Sequence, residues 1–194
     1  MPKQSKRTKE AIIEAATRLF DKQGYKETTI EQIINEAGCS KGTFYYHFTG
    51  KEELSISLTK SMDMRFEEWY AATSPDTPAI DKLLQLAEYV YDYTEREFDS
   101  ESYAATYAYY LNPKSGDTFD SPNRFYNTIV RNIMKEGQNK KELRNDISFV
   151  ELGKMYNIVL RGVLYDWCIS RGSYSVKELG MRAMKIFLPG FISK

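Results

Sequence analysis

The side chains best suited to chemistry stand close together between Thr28 and Lys51, where hydroxyl, phenol, amine and imidazole groups alternate with apolar residues. This segment holds the only histidine of the chain, His47, and one of its two cysteines, Cys39. A single histidine excludes a His-rich metal site, and no plausible partners complete a Ser/His/Asp set. The segment therefore offers hydrogen-bonding groups suited to recognition rather than a nucleophile with its base.

The same segment does not contain a nucleotide-binding loop. The run from Gly38 to Thr43 has the wrong spacing for a P-loop, and no strand pattern precedes it. Cys39 and Cys168 stand in different contexts, so we expect neither a disulfide nor a CxxC site, and we interpret Cys39 as a small buried hydrophobe. We predict a protein that is not an enzyme and that carries no cofactor and no metal.

Two short helices are needed to position these groups. Thr28 and Glu31 have the spacing of a capping box ahead of an apolar helical face, and Gly38 permits a turn with positive φ. Ser40 can cap a second helix over Lys41 to Phe48 and offer its hydroxyl, with the free N–H groups of that helix, to a phosphate. Two short helices joined by a glycine-containing turn form a helix-turn-helix.

The second of these helices has two distinct faces when its residues are placed about 100° apart. Phe44 and Phe48 fall together and must face the core, while Gly42, Thr43 and Tyr46 point the opposite way. A helix of about eight residues is marginal by itself, so its neighbours must hold it in place. Its outward face has little bulk and many hydrogen-bonding groups, which suits a DNA major groove about 12 Å wide.

At these residues the sequence closely resembles the tetracycline-repressor (TetR) family of bacterial transcription regulators. The resemblance covers roughly residues 8–54. It depends on the runs Thr28-Thr29-Ile30, Ala37-Gly38, Ser40-Lys41-Gly42-Thr43-Phe44-Tyr45-Tyr46-His47-Phe48 and Lys51-Glu52-Glu53-Leu54. Two departures, Ile34 and Cys39, remain apolar and leave the outward face undisturbed.

The resemblance implies a role for each matching residue. It implies phosphate contacts for six residues: Thr28, Thr29, Ser40, Tyr45, His47 and Lys51. It implies an approach to base edges for four more: Lys41, Gly42, Thr43 and Tyr46. A packing role is the alternative for Tyr45, against the first helix, and for Tyr46. A surface position without function is the alternative for His47. The basic residues Lys3, Lys6, Arg7 and Lys9 form either a disordered tail or an arm that reaches a minor groove or phosphates.

The whole chain is predicted to be all-α, with about nine helices. Gly24 is placed to end the first helix, and Gly50 with Glu53 opens a fourth that runs to about Thr73. Ser74-Pro75 then breaks the chain. Later helices are predicted by the starts Thr77-Pro78, Ser102, Ser121-Pro122, Ser148 with Glu151 and Ser175 with Glu178, with a loop over 112–121. We assign residues 1–52 to a three-helix DNA-binding domain, with its reading motif at 29–48, and 53–194 to a helical ligand-binding and dimerisation domain.

Composition and charge limit the class of protein. The chain has 194 residues, 27 basic and 27 acidic side chains, so a histone-like polycation is excluded. Residues 1–51 nevertheless hold nine basic and six acidic side chains, which favours an anionic partner at that end. No run approaches the roughly 18–20 apolar residues of a membrane span, and the basic start lacks the apolar stretch of a signal peptide. We expect a cytoplasmic protein with no membrane partner.

One reading helix contacts too few base pairs for useful specificity, so we expect a two-fold dimer whose two reading helices lie about 34–36 Å apart. We expect the last two helices to form the dimer surface. Val150 and Trp167 lie on the same apolar pattern as the interface residues, and Gly162 allows close approach. The predicted interface residues are Met155, Ile158, Val159, Gly162, Val163, Leu179, Ala183, Met184 and Phe187. A purely intramolecular core is the alternative.

The middle of the chain is unusually rich in tyrosine, whose apolar body and polar tip suit a small-molecule pocket. The candidate lining residues are Tyr89, Tyr93, Tyr103, Tyr107, Tyr110, Phe125 and Tyr126, with Phe98 and Phe119 nearby, although aromatic residues at helical spacing also form plain core. By the family resemblance these helices enclose an inducer. We predict a repressor that binds a palindromic operator as a homodimer and is released by an unidentified small molecule; an activator or a purely structural helical module are the alternatives.

Overall fold

The computed structural model describes residues 2–51, 53–54, 58–111 and 124–193, and for residues 2–4, 58–64 and 109 it describes the backbone alone. These ranges contain nine α-helices and, at the end, a short 3-10 helix. The α-helices are α1 (Pro2–Gln23), α2 (Ile30–Ala37), α3 (Lys41–His47), α4 (Leu58–Ala72), α5 (Ala79–Glu97), α6 (Ser100–Leu111), α7 (Phe125–Asn139), α8 (Phe149–Ile169) and α9 (Val176–Phe187), and the 3-10 helix is Leu188–Phe191. The all-α prediction is confirmed.

The first helix starts much earlier than the apolar pattern indicates. The chain is helical from Pro2, so the basic residues that could have formed a disordered tail belong to the first turns of α1. The ammonium group of Lys9 lies 5.5 Å from the ring centre of Phe48, at the end of α3. This contact places the positively charged start of α1 beside the end of α3. The side chain of Lys3 lies outside the described part of the chain.

Two predicted helix starts use different residues from those expected. The capping box of α2 is formed by Thr29 and Gln32, not by Thr28 and Glu31: Thr29 Oγ1 accepts from Gln32 N at 3.2 Å, and Gln32 Oε1 accepts from Thr29 N at 2.8 Å. Before α4, Glu53 Oε2 accepts from the N–H of Thr49 at 2.7 Å. At α2 the pattern fits two registers one residue apart, and packing selects one of them. The described α4 begins at Leu58 and not at Gly50, where the pattern places its start.

The remaining helix ends follow the sequence more closely. Gly24 and Gly38 have φ of 85° and 63°, as their positions after α1 and α2 require. Ser148 and Ser175 accept hydrogen bonds from the backbone N–H of Glu151 and Glu178, as N-caps of α8 and α9. Pro78 is the N-cap of α5 rather than its first residue. The predicted start of α7 at Ser121-Pro122 lies outside the described residues.

The buried side chains form two clusters. One is built from α1, α2 and α3 and contains Ile12, Phe20, Ile33, Phe44 and Phe48, joined by Tyr93 and Phe98 from the end of α5. The other fills the space between α4, α5, α7, α8 and α9. Tyr103 of α6 packs against both. The small unit of α1–α3 is therefore not packed by its own residues alone, and the predicted division at residues 52 and 53 stays a prediction.

No helix in the described parts of the chain is long and apolar enough to span a bilayer.

Candidate nucleic-acid interface

The short helix α3 has one buried face and one exposed face, as its helical layout predicts. Phe44 is fully buried and Phe48 is 6% exposed, with their ring centres 5.8 Å apart. On the opposite side Tyr46 is 79% exposed. The two phenylalanines fix α3 against α1 and α2, because a helix of seven residues has no stability of its own. What α3 displays to the outside is therefore held rigidly.

The beginning of α3 is organised by Ser40. The Ser40 hydroxyl oxygen accepts from the N–H of Thr43 at 3.1 Å and lies 2.8 Å from the hydroxyl oxygen of Thr43. Between them, Gly42 leaves open space: a Cβ added there would meet only Ser40 Oγ, at 3.9 Å. The exposed face of α3 thus starts with two linked hydroxyls and a gap beside them.

The flanks of α3 carry the other predicted residues. The ring of Tyr46 meets that of His47 edge-on at 4.9 Å, and the ring of Tyr45 meets that of Phe44 edge-on at 5.3 Å. Tyr45 packs in this way and is still 48% exposed, so the packing alternative and the contact prediction are compatible. Lys41 Nζ lies 3.8 Å from Glu31 Oε1, and both side chains are about 70% exposed. Such an exposed ion pair is weak and leaves the lysine able to take another partner.

Two of the residues predicted to contact phosphate have other tasks. Thr28 is 1% exposed and its hydroxyl donates to the carbonyl oxygen of Gly24 at 2.8 Å, so we correct its role from a phosphate contact to positioning of the turn before α2. Lys51 Nζ donates to the carbonyl oxygens of Tyr25 at 2.8 Å and Thr28 at 2.9 Å. It also lies 4.2 Å from the ring centre of Tyr25. The positive charge of Lys51 therefore lies at the carbonyl groups of the turn before α2.

This arrangement and the sequence are both matched in known proteins. Residues 12–58 match the model of the bacterial regulatory proteins of the tetR family. The segment 12–58 therefore belongs to the tetR family of bacterial regulatory proteins. The HTH-type transcriptional regulator LmrA of Bacillus subtilis is 52% identical over 56 residues, which are 28% of this chain and 30% of LmrA. The match thus spans less than a third of this relative.

Longer similarities extend beyond that unit. The HTH-type transcriptional repressor NicS of Pseudomonas putida is 28% identical over 147 residues, 74% of this chain and 69% of NicS. Among solved structures, the transcriptional regulator FadR of Bacillus subtilis in complex with stearoyl-CoA has a TM-score of 0.63. It covers 94% of this chain and 98% of FadR at 20% identity, so the two proteins share a fold over the aligned residues.

The predicted pocket residues lie close to one another but are packed as part of the two cores. Phe66 of α4 contacts Tyr126 at 5.0 Å and Tyr89 at 5.8 Å between ring centres, and Tyr103 contacts Tyr107 at 5.7 Å. Of the remaining three, Tyr93 is buried in the α1–α3 core, Tyr110 is 8% exposed, and Phe125 is half-buried against the other core. Burial raises the pKa of Tyr93 to about 12 and the pKa values of Tyr103, Tyr107 and Tyr126 further still, so these phenols are neutral.

The hydroxyl groups of these tyrosines are tied to the helices around them. Tyr107 donates to the carbonyl oxygen of Arg161 at 2.9 Å, and Tyr110 accepts from Arg124 Nη1 at 3.2 Å. One further polar pair here is not indicated by any sequence pattern: Asn157 Nδ2 donates to Asn127 Oδ1 at 3.2 Å, and both residues are 7% exposed. Within the described residues, Asn157 Oδ1 is buried without a hydrogen-bond partner.

Two surface grooves lie elsewhere in the described structure. One of about 670 Å³ lies between α5 and α9 and is lined by Asp81, Glu88 and Lys177 among others. A second of about 440 Å³ lies where α1 meets α4 and α5, and Tyr93 is the one predicted pocket residue that lines it. The other six aromatic residues line neither groove.

The residues of the last two helices that are predicted to form the dimer interface differ in their burial. Met184 is fully buried in the core of its own chain, and so its assignment to the interface is corrected. Trp167, on the same predicted pattern, is 5% exposed and donates to the carbonyl oxygen of Tyr174. The other interface residues are exposed or half-buried: Met155, Ile158, Val159, Gly162, Val163, Leu179, Ala183 and Phe187.

Three exposed residues extend this surface beyond the predicted set. Tyr165 and Ile169 on α8 are 52% and 61% exposed, and Ile186 on α9 is 82% exposed. Tyr165 and Ile169 follow Ile158 and Gly162 at helical spacing, so the periodicity could have found them. Ile186 stands next to Phe187 in a helix with apolar residues on several sides, and only the packing of Met184 shows which face is turned outward.

Proposed function

We propose that this chain is a DNA-binding transcriptional repressor that acts as a homodimer and is released by a small molecule. The observation that carries the proposal is the outward face of α3, where Gly42, Thr43 and Tyr46 project from a helix held by Phe44 and Phe48. A rigid helix with small polar groups on its outer side can enter a major groove. Phosphate contacts from Ser40, Thr29, Tyr45 and His47 would fix its orientation, and Lys41 would approach a base edge.

The basic start of α1 supports the same orientation. Lys6, Arg7 and Lys9 are exposed on a helix whose Lys9 reaches the end of α3. Positive groups beside a reading helix attract the phosphate backbone and make the affinity depend on salt. A helical arm also loses less conformational freedom on binding than a disordered tail does.

A homodimer is supported by the exposed apolar surface of α8 and α9. Ile158, Tyr165 and Ile169 on α8 and Ile186 on α9 are all more than half exposed. Large apolar side chains grouped on one surface mark an interaction site. A second copy is the occupant we propose, because a two-fold pair places two α3 helices on successive major grooves of a palindrome.

The proposed inducer site is the aromatic region between α5, α6, α7 and α8. The structure of FadR with stearoyl-CoA supports this, since a related fold holds a ligand. The neutral tyrosines of this chain and the buried acceptor Asn157 Oδ1 would favour a ligand that has an apolar body and an N–H or O–H donor.

Two connections could carry the effect of a ligand to the DNA-binding unit. Arg65 of α4 lies 3.6 Å from Asp21 of α1 and 5.8 Å from the ring centre of Tyr93. Tyr25, in the turn after α1, stacks on Phe98 at the end of α5 with ring centres 5.0 Å apart. A ligand that shifts α4 or the end of α5 would change the distance between the two reading helices. The effect on DNA affinity can be no larger than the ligand's differential affinity for the two states.

Repression rather than activation is supported by the name of NicS, the repressor that matches most of this chain. A transcription assay with the purified protein and polymerase distinguishes the two. A repressor lowers transcript yield from a template that contains the bound palindrome, and an activator raises it.

The central experiment measures binding of a palindrome from the chain's own upstream region by wild type, Tyr46→Ala and Leu111→Ala. Leu111 is 75% exposed on α6 and serves as the matched control. We expect Tyr46→Ala to weaken binding by about ten- to a hundredfold, because a base contact is worth about 1–3 kcal/mol. Leu111→Ala should bind as wild type does. Equal, salt-insensitive binding by all three proteins, or none by any, would overturn the proposal.

A further inference from the structure

We infer that Thr43 selects a thymine base through its side-chain methyl group, and not through its hydroxyl. This inference depends on the proposed function, since it concerns the base pair that faces α3. It starts from the hydrogen bonds that link Ser40 and Thr43. They show which group Thr43 still has available when the protein is bound to DNA.

The hydroxyl of Ser40 has one proton and can accept two hydrogen bonds. It already accepts one from the backbone N–H of Thr43. If Ser40 contacts DNA, its proton goes to a phosphate oxygen, because an ionised phosphate only accepts. The 2.8 Å contact between the two hydroxyls then requires Thr43 to donate its proton to Ser40. In this arrangement every site of Ser40 is used, and Thr43 has no proton left for a base.

What remains on Thr43 is its methyl group and the acceptor lone pairs of its hydroxyl. Thr43 is half-buried, so its side chain is still open to a ligand on one side. The open space at Gly42 lets a base pair come close to it, since no side chain stands between them. Among the base edges of the major groove, the C5-methyl group of thymine is the one suited to apolar contact with a threonine methyl.

The Ser40–Thr43 link also sets the rotamer of Thr43. A threonine whose hydroxyl is directed towards Ser40 has its methyl group in a defined staggered position. A phosphate contact by Ser40 therefore strengthens the preference for thymine, although Ser40 itself touches no base. Ser40 acts here as a positioning residue.

The test uses a duplex selected by the wild-type protein from a random pool, in which each thymine of a half-site is replaced in turn by deoxyuridine. This substitution removes one methyl group and leaves the hydrogen-bonding groups of the base pair unchanged. Wild type, Thr43→Ser and Thr43→Val are compared on the same set of duplexes. Serine removes the methyl and keeps the hydroxyl, while valine keeps a methyl and removes the hydroxyl.

We expect one thymine per half-site at which deoxyuridine weakens wild-type binding by about fourfold, the value of one buried methyl group. At this position Thr43→Val should keep the preference for thymine, and Thr43→Ser should bind both duplexes equally. Ser40→Ala, which frees the Thr43 hydroxyl, should reduce the preference to less than about twofold and weaken binding to both duplexes.

Other outcomes overturn the inference. If Thr43→Ser keeps the preference, or Thr43→Val loses it, the methyl group of residue 43 is not what reads the base. The inference also fails if the wild type binds its selected duplex tightly but the loss of affinity caused by each deoxyuridine is the same in wild type and in the variants of residue 43. If the selection enriches no sequence at all, the proposed function fails together with this inference, and so the two failures are distinguished.

Discussion

The ring of Phe98, at the end of α5, stacks on the ring of Tyr25, after α1, at 5.0 Å between centres and an interplanar angle of 29°. Phe98 is 4% exposed and also meets Tyr103 edge-on at 5.5 Å. Tyr103 in turn contacts Tyr107 of the predicted pocket. Aromatic contacts thus run without a gap from the α1–α3 unit to the middle of the chain, and Phe98 belongs to the core of a unit from which it is distant in sequence.

Phe98→Leu should therefore loosen α1–α3 even though the substitution lies at the end of α5. We expect the free energy of unfolding to fall by about 1–2 kcal/mol, because the ring contacts are lost while most of the volume is kept. Amide hydrogen exchange should become faster in α2 and α3.

Phe66→Leu is the matched control for this experiment. Phe66 is 2% exposed, but it packs in the other core, against Tyr89 and Tyr126. It should lower stability by a similar amount and leave exchange in α2 and α3 unchanged. Unaltered exchange of these helices in Phe98→Leu would contradict the connection between the two parts of the chain.

An ion pair between the buried Lys82 and the half-buried Glu136 should make stability depend on pH. Lys82 of α5 is 4% exposed, and its Nζ lies 3.1 Å from Glu136 Oε2 of α7. Hydrogen bonds from Lys140 and Lys82 hold the pKa of Glu136 below its usual value. The unfolded chain binds this proton more readily than the folded one. The stabilisation is therefore complete above the unfolded pKa of Glu136 and is lost as the pH falls through its folded pKa.

Glu136→Gln should remove this part of the acid dependence. At neutral pH we expect a loss of about 1–3 kcal/mol, because Lys82 loses its carboxylate partner and keeps the carbonyl oxygen of Pro75. Between about pH 6 and pH 3 the variant should lose less stability than wild type, as measured by urea unfolding. Glu67→Gln, an exposed change on α4, is the control and should follow the wild-type curve. Parallel curves for wild type and Glu136→Gln would rule out this role of the pair.

The sequence predicts the exposed face of α3 well, because a helical layout needs only the spacing of Phe44 and Phe48. It also predicts the helix ends that depend on one local residue, such as Gly24, Gly38 and Ser175. It fails where two registers satisfy the same pattern, as with Thr28 and Thr29 before α2. Packing decides which of the two threonines is buried. It is Thr28, whose hydroxyl donates to the carbonyl oxygen of Gly24.

The sequence pattern also does not predict which distant parts of the chain are in contact. Met184 and Ile186 are both apolar residues of α9, yet the first is fully buried and the second is 82% exposed. Helical spacing places them on different faces without saying which face meets α5 and α8. The polar pair of Asn127 and Asn157 is not predicted for the same reason, since the two asparagines lie 30 residues apart on different helices.

The two cysteines should react slowly with alkylating reagents. Burial raises the pKa of Cys168 to about 11 and also raises the pKa of Cys39. Since only the thiolate reacts, alkylation of Cys168 by iodoacetamide at pH 8 should be about a hundredfold slower than that of a free thiol of pKa about 9. Mass spectrometry of the labelled peptides separates the two sites, and the rate at Cys168 should rise about tenfold per pH unit. A rate at pH 8 equal to that of free cysteine would show that the thiol is not buried in solution.

Two glycines in α8 and α9 should respond in opposite ways to alanine. At Gly180 of α9 a Cβ would lie 2.7 Å from Cδ2 and Cζ of Tyr91, which is fully buried on α5. The helices α5 and α9 must therefore move apart. We expect Gly180→Ala to cost about 1–3 kcal/mol in the free energy of unfolding. At Gly162 a Cβ would meet nothing within 4 Å in the single chain. There alanine should stabilise the helix by about 0.5–1 kcal/mol.

The proposed dimer reverses the benefit at Gly162. If α8 of a second copy approaches closely at this position, the added methyl group must be accommodated in the contact, and we expect dimerisation to weaken about tenfold, by ~1.4 kcal/mol. Sedimentation velocity over a range of concentrations measures this, with Gly180→Ala as the control that is destabilised without a change at the surface. A Gly162→Ala protein that dimerises as wild type does would place the two-fold contact away from the middle of α8.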